Sequence, residues 1–265
     1  DSPGPDGERE EGLFFTWTPD EIAAVLDAEQ TRAVVAYFGV TDAGNYEGRT
    51  ILHTPRSWRD VAAELGLSDA ALRRTVDAAR EQLYAARATR PPPLRDDKIL
   101  TAWNGLMIAA MAKANQVLGE ARFLDAARRA AQFLKQNLMS DRGLLRRYRD
   151  GEATFDGYLD DYAFVAAGLI DLYESDFDPN WIREALALNK IVTAEFLAKD
   201  GGFFSTGKSH EALLTRMRST NDGAIPSGNS VEALNLLRLA SLTGDESYGH
   251  RGLQILSSQG DAIRK

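Results

Sequence analysis

The chain has 265 residues, no cysteine and a formal net charge of −8 at pH 7. This length allows one large domain or two small ones, and the missing cysteines exclude disulfides and thiol-based sites. The acidic balance argues against a nucleic-acid partner, and no apolar run approaches the roughly 18 residues of a membrane span. The three histidines lie far apart, so we expect no metal site. We also expect no cofactor and, because no signal peptide opens the chain, a cytoplasmic location.

The first third of the chain predicts short helices without a regular repeat. Residues 1–12 are rich in Gly, Pro and Glu and are predicted to be disordered. Thr18, followed by a proline, is typical of a helix start, and Ser68 predicts the start of a longer helix. The three prolines at 91–93 cannot continue a helix and indicate a stiff connector before the more regular remainder.

The remainder alternates two kinds of predicted helix. Three segments are apolar on nearly all sides, at residues 100–114, 162–173 and 231–242. Each precedes a segment that is apolar on one side only, at residues 122–138, 181–196 and from 248 onwards. A pattern that recurs about every sixty residues indicates stacked helical hairpins. An all-α fold follows, either an (α/α) toroid with inner and outer helices or a two-layer α-solenoid, which has the same periodicity.

Polar clusters precede the apolar helices, at residues 96–105, 157–162 and 222–230. Two of them contain adjacent aspartates, Asp96–Asp97 and Asp160–Asp161. One aspartate at a helix start is explained by capping, worth about 1 kcal/mol, but capping explains a second one less well. The alternative is acid–base chemistry by opposed carboxylates at the mouth of the array, as in glycosidases. The sequence does not fix their separation, so retention and inversion both stay open.

Other side chains near these aspartates are candidates for substrate binding. They are aromatic, amide, hydroxyl or charged groups that suit a sugar or another small polyol: Trp103, Asn104, Tyr158, Tyr162, Arg218, Asp222, Ser227 and Asn229. Several of them also have an ordinary structural interpretation. Trp103 and Tyr162 would then be core residues with a satisfied polar atom, and Ser227 or Asn229 a helix cap.

Six motifs resemble the spermatogenesis-associated protein 20 family, which includes bacterial YyaL-like proteins. They lie at residues 12–18, 44–48, 96–107, 157–164, 201–204 and 222–230. The resemblance implies a thioredoxin-like domain, absent from this chain, followed by a six-hairpin toroid related to glycosidases and to N-acylglucosamine 2-epimerase-like proteins. Residues 13–265 would then form an incomplete toroid, most regular over 90–265. Its apolar edges imply association with a second chain or with the rest of the toroid.

These observations lead to three hypotheses about function. In the first, the chain is glycoside-hydrolase-like, with Asp97 and Asp161 as acid and base (or nucleophile) and Asp96 and Asp160 in support. In the second, it is a non-catalytic toroid that binds a metabolite or partner within a thioredoxin-fused protein. The third is a sugar epimerase or isomerase. The resemblance links epimerisation to histidines, and no histidine here occupies a matching position at a helix start.

Overall fold

The computed structural model describes residues 2–3, 8–140, 142–211, 213–258 and 260. Within these ranges the chain forms ten helices and six short strands, and it divides into two compact units, Asp1–Asp96 and Asp97–Lys265. The division lies three residues after the prolines at 91–93. No helix in the described ranges is long and apolar enough to cross a membrane.

The described part of the first unit forms four helices around two small clusters of buried side chains. The helices are α1 (Pro19–Val25), α2 (Ala28–Tyr37), α3 (Trp58–Leu65) and α4 (Asp69–Ala88). Thr18 and Ser68 cap α1 and α4, as predicted. Of the segment predicted to be disordered, residues 1 and 4–7 lie outside the described residues, whereas β1 (Ser2–Pro3) pairs with β2 (Arg9–Glu10).

In its described residues the second unit forms three helical hairpins, which confirms the predicted alternation. They are α5 (Thr101–Leu118) with α6 (Ala121–Asn137), α7 (Leu159–Asp176) with α8 (Pro179–Phe196), and α9 (Gly228–Thr243) with α10 (Glu246–Ser258). Helix α7 lies between α5 and α9 and contacts both. Its buried residues occur on nearly every side, which explains why residues 162–173 are apolar almost throughout.

The connections between helices differ at the two ends of the array. Each hairpin turns through two residues, at 119–120, 177–178 and 244–245, whereas the segments that lead to the next hairpin run over 138–158 and 197–227. The first long segment carries β4 (Met139–Ser140), β5 (Gly143–Arg149) and β6 (Glu152–Asp156), and β3 (Ile99–Leu100) pairs antiparallel with β5. Long connections therefore lie at the end where α5, α7 and α9 begin, and such segments often carry binding residues.

Two glycines set the distance between α5 and α7. A Cβ atom on Gly105 would lie 2.5 Å from the carbonyl carbon of Phe164, and one on Gly168 would lie 2.7 Å from the carbonyl oxygen of Gly105. Backbone atoms of the neighbouring helix occupy these positions, so no larger residue fits without separating the helices.

We expect Gly105→Ala to lower the free energy of unfolding by about 1–3 kcal/mol, the usual cost of overpacking a core. Gly249→Ala in α10 is the matched control, because its Cβ would meet only the Cβ of Ala240 at 3.5 Å. That control should be neutral or stabilising by up to about 1 kcal/mol, since alanine favours helix more than glycine does. Urea denaturation followed by circular dichroism measures both, and equal effects would contradict the close contact of α5 and α7.

Candidate functional site

Asp161 joins the beginnings of two inner helices. Its Oδ1 accepts the backbone N–H of Ala102 in α5 at 2.9 Å, and its Oδ2 accepts the N–H of Tyr158, which caps α7, at 2.8 Å. Arg146 from β5 donates to the same Oδ2 at 3.1 Å. The side chain is only 1% exposed, so Asp161 is a buried cap shared by α5 and α7.

Asp160 makes the corresponding contact on the other side of α7. Its carboxylate accepts the backbone N–H of Gly228, the first residue of α9. A Cβ atom at Gly228 would lie 2.4 Å from Oδ1 of Asp160, so the close approach requires glycine there. The two adjacent aspartates therefore bind the starts of both neighbouring helices, which gives a structural reason for the pair.

Burial changes the acidity of both carboxyls. It raises the pKa of Asp161 to about 6, against the opposing effects of Arg146 and of the amides of Tyr158 and Ala102. Burial also raises the pKa of Asp160, against the amide of Gly228 and the charge of Arg146. Asp160 is partly exposed whereas Asp161 is buried, so only Asp160 is open to a ligand.

The first aspartate pair lies in a different environment. Asp97 pairs with Arg149 of β5 at 3.3 Å and is 41% exposed, and Asp96 is the last residue of the first unit. Arg149 lies three residues from Arg146, the partner of Asp161, and side chains alternate between the faces of a strand. Asp97 and Asp161 are therefore held by arginines that leave β5 on opposite faces.

The predicted aromatic contacts fall into two groups. Trp103 and Tyr158 are well exposed, and the guanidinium of Arg146 lies 4.5 Å from the ring centre of Tyr158. Tyr162, by contrast, is buried, and its hydroxyl accepts the N–H of Leu144 at 2.9 Å. Asn104 donates to the carbonyl of Leu100 in the preceding turn. Trp103 and Tyr158 are thus open to a ligand, while Tyr162 fixes the start of β5.

The residues of the third motif shape the segment that leads into α9. Ser227 caps α9 by accepting the N–H of Ser230 at 3.1 Å, and Asp222 accepts the N–H of Ser227 at 2.8 Å. Asn229 is buried and bonds both the N–H and the carbonyl of Phe203, at 2.8 and 2.9 Å. These side chains therefore fix the backbone of the segment that leads into α9.

Arg218 points towards the last hairpin. Its guanidinium pairs with Asp200 and reaches the hydroxyl of Ser258 in α10 at 3.4 Å. The hydrogen bond from Arg218 lowers the pKa of Asp200. The contacts of Arg218 thus connect the 197–227 segment to α10.

The structure adds one group that the sequence did not single out. His210, in the 197–227 segment, lies beside Phe196 and Tyr158, with ring centres 5.8 and 6.1 Å away. Two cavities of about 260 and 180 Å³ both have Asp156 and His210 in their walls. In the sequence His210 is an isolated histidine in a polar loop, so only the packing of that loop onto α8 reveals it.

A second buried carboxylate lies deeper in α9. Glu232 is fully buried and accepts amide hydrogens from Asn189 at 2.5 Å and Asn235 at 3.1 Å. Asn235 also donates to the carbonyl of Ala163 in α7 at 2.8 Å. Burial raises the pKa of Glu232 to about 7, although both asparagines favour the ionised form. The cluster connects α7, α8 and α9 away from the exposed groups.

We expect the pKa of Glu232 to make stability depend on pH. Folding raises this pKa from 4.5 to about 7, so the folded chain holds the proton more tightly than the unfolded chain. The stabilisation that comes from this proton is complete below pH 4.5. It is lost as the pH rises to 7, so the free energy of unfolding falls by about 3 kcal/mol. Urea denaturation across this range should show a smaller fall for Glu232→Gln. The same pH dependence of the free energy of unfolding in both proteins would contradict the raised pKa of Glu232. Asp161, whose pKa is also raised, adds a weaker pH dependence that both proteins share.

We expect Asp161→Asn to destabilise the fold by about 1–3 kcal/mol at neutral pH, the cost of an unsatisfied buried donor. An amide nitrogen in place of one oxygen would meet only donors, from Tyr158 and Arg146 or from Ala102. Asp160→Asn is the matched control, because its remaining oxygen can still accept the N–H of Gly228. Thermal denaturation measures both, and an equal or larger loss in Asp160→Asn would disprove the greater structural role of Asp161.

Similarity searches found relatives by sequence and by structure. No protein-family profile matches the chain. Spermatogenesis-associated protein 20 of Homo sapiens is 33% identical over the whole of this chain, which covers 38% of that protein. The Rattus norvegicus protein gives the same identity and coverage. An uncharacterized protein of Caenorhabditis elegans is 31% identical over 92% of this chain and 37% of its own length.

Solved structures with the same fold include sugar-processing proteins. A GH76 alpha-mannanase of Bacteroides thetaiotaomicron superposes with a TM-score of 0.53 and 17% identity, over 66% of this chain and 48% of that one. Cellobiose 2-epimerase of Bacillus thermoamylovorans superposes with a TM-score of 0.53 and 17% identity, over 63% of this chain and 45% of that one. A sugar epimerase from a ruminal bacterium has a TM-score of 0.52 and 11% identity, over 96% of this chain and 67% of that one. These likenesses confirm the predicted α/α-toroid fold.

The mammalian matches cover the whole of this chain, although the chain spans only 38% of the length of those proteins. The predicted resemblance is thereby confirmed: the chain is homologous to a part of spermatogenesis-associated protein 20 that makes up 38% of the length of the mammalian proteins.

Proposed function

We propose that this chain is a carbohydrate-active protein of the glycoside-hydrolase type and that Asp160 is its general acid. The observation that carries the proposal is the setting of Asp160, a partly exposed carboxyl whose pKa is raised by burial, at the point where α7 meets α9. The fold supports the substrate class, since the structural neighbours named above process mannans, cellobiose or other sugars.

The contacts of Asp160 suit proton donation. A general acid must be protonated near the working pH, and burial moves the pKa of Asp160 in that direction. One carboxyl oxygen accepts the N–H of Gly228, so the other oxygen can hold the proton and pass it to a glycosidic oxygen. The exposed rings of Trp103 and Tyr158 offer flat apolar surfaces for a sugar ring.

The reaction also needs a second carboxylate, as base or nucleophile, within about 5–10 Å of the acid. Asp97 is our candidate, because it is partly exposed and precedes α5 at the same end of the array. We assign Asp161 to the scaffold instead, since all of its contacts hold it inside. An epimerase based on histidine gains no support, because His210 lies in a connecting segment rather than at the start of α5, α7 or α9.

A non-catalytic sugar-binding protein is the second candidate. The observation that favours it is that both Asp160 and Asp161 accept backbone N–H groups at helix starts. Capping alone then explains why the two aspartates are adjacent. In that case Asp160 would contact a bound sugar without transferring a proton.

Partner binding is also a proposal. Such binding would use Met107 and Val117, which are exposed apolar side chains of α5. Association with a second chain, or with further hairpins of the toroid, would cover these side chains.

Turnover of a panel of aryl α- and β-glycosides, including mannosides and glucosides, tests the proposed function. We expect Asp160→Asn to lower kcat/KM at least 100-fold, within the range typical of a lost general acid, with little loss of stability. Wild-type turnover in Asp160→Asn would refute the assignment. Absence of turnover, together with sugar binding that Asp160→Asn weakens, would select the non-catalytic candidate.

A further inference from the structure

Glu232 lies about one helical turn from the contact that holds Asp160. Gly228, whose N–H binds Asp160, is the first residue of α9, and Glu232 follows four residues later in the same helix. Glu232 accepts a hydrogen bond from Asn235, which also donates to the carbonyl of Ala163, three residues beyond Asp160 in α7. Helices α7 and α9 are therefore joined twice, at Asp160 and again one turn further in.

Among the described residues, no positive charge compensates Glu232. The side chain is fully buried, and its partners are the amide groups of Asn189 and Asn235. The titratable groups closest to it along the four surrounding helices bind other partners or reach solvent, and none of them acts on the pKa of Glu232. They are Asp160, Asp161 and Tyr162 of α7, Lys190 and Glu195 of α8, Arg238 of α9, and Tyr248 and Arg251 of α10. An ionised Glu232 would thus be an unpaired buried charge, which is strongly unfavourable.

A neighbouring oxygen independently indicates that Glu232 carries a proton. Oδ1 of Asn235 is buried and has no hydrogen bond in the described structure, which is rare for a buried acceptor. The nitrogen of the same amide donates to Oε2 of Glu232 at 3.1 Å. A primary amide and a carboxylic acid can form a cyclic pair, in which the acid O–H donates to the amide oxygen. Protonation of Glu232 therefore supplies the missing donor, whereas an ionised carboxylate can only accept.

We propose that Glu232 is a positioning residue for Asp160 and that a proton controls it. Neutral Glu232 pairs with Asn235, which keeps α9 bound to α7 at Ala163 and keeps the N–H of Gly228 on Asp160. Ionisation breaks the pair, places an uncompensated charge between α8 and α9, and weakens the contact at Gly228. Because folding raises the pKa of Glu232 to about 7, this change occurs as the pH rises through neutrality.

Nuclear magnetic resonance of the 265-residue chain tests the coupling without any substrate. As the pH is raised, the amide signal of Gly228 should shift with a midpoint near pH 7, and the carboxyl carbon of Glu232 should shift with the same midpoint. Glu232→Gln should abolish this step, because glutamine stays neutral and its amide supplies a donor. The matched control is Glu246→Gln, which removes an exposed carboxyl from the first turn of α10 and should leave the step unchanged.

The pH dependence of turnover tests the consequence for Asp160, and this part rests on the proposed function. Loss of the proton from Glu232 should remove the active form of the wild type in addition to any ionisation of Asp160 itself. Above pH 7, wild-type kcat should therefore fall by about a further 10-fold per pH unit relative to Glu232→Gln. A purely structural role of Glu232 would change kcat by the same factor at every pH.

The proposal is overturned if the amide of Gly228 shows no step at the midpoint of Glu232, or if that step persists in Glu232→Gln. The comparison of the two midpoints uses the wild type alone, so it decides the question even if circular dichroism shows that Glu232→Gln fails to fold. Parallel pH profiles of kcat in an active wild type and in Glu232→Gln would overturn the effect on catalysis. Absence of any turnover, with the Gly228 step present, would instead refute the glycosidase proposal and leave the coupling supported.

Discussion

The second unit depends on two adjacent carboxylates that bind the starts of neighbouring helices. The first N–H groups of any helix lack partners within that helix, and the helix dipole adds partial positive charge there. Three inner helices that begin side by side concentrate both effects. Asp161 accepts an N–H from α5 and one from the start of α7, while Asp160 accepts one from α9. The pair thereby fixes the relative positions of three helices from one point in the sequence.

Patterns that are local in the sequence predicted most of the fold. Helix α7 is apolar nearly all round because it lies between α5 and α9, and its hairpin partner α8 is apolar on one side because it lies outside. The side chains of Thr18 and Ser68 cap their helices by accepting a backbone N–H three residues further along the chain. The local sequence is therefore enough to predict such caps. The motifs that carried the family resemblance coincide with these helix starts and with the segments beside them.

The roles of individual polar side chains could not be predicted in the same way. Asp160 and Asp161 are identical in type and adjacent, yet only Asp161 is fully buried, because Arg146 and α5 cover it. The sequence likewise offers both Tyr162 and Trp103 as candidates for substrate contact, although Tyr162 bonds Leu144 in the interior and Trp103 is exposed. These differences arise from contacts between residues far apart in the chain, which periodicity does not encode.

Capping also limits which groups can carry chemistry at this end of the array. A buried carboxylate that accepts N–H groups from two helix starts cannot reach a ligand without breaking those contacts, which favours a structural role for Asp161. The groups left over are the second oxygen of Asp160 and the exposed rings of Trp103 and Tyr158. All of them lie next to the capped positions, where the backbone is most constrained. Rigid support with a few unused polar atoms is what a ligand site requires, so binding here follows from the same contacts that hold the helices together.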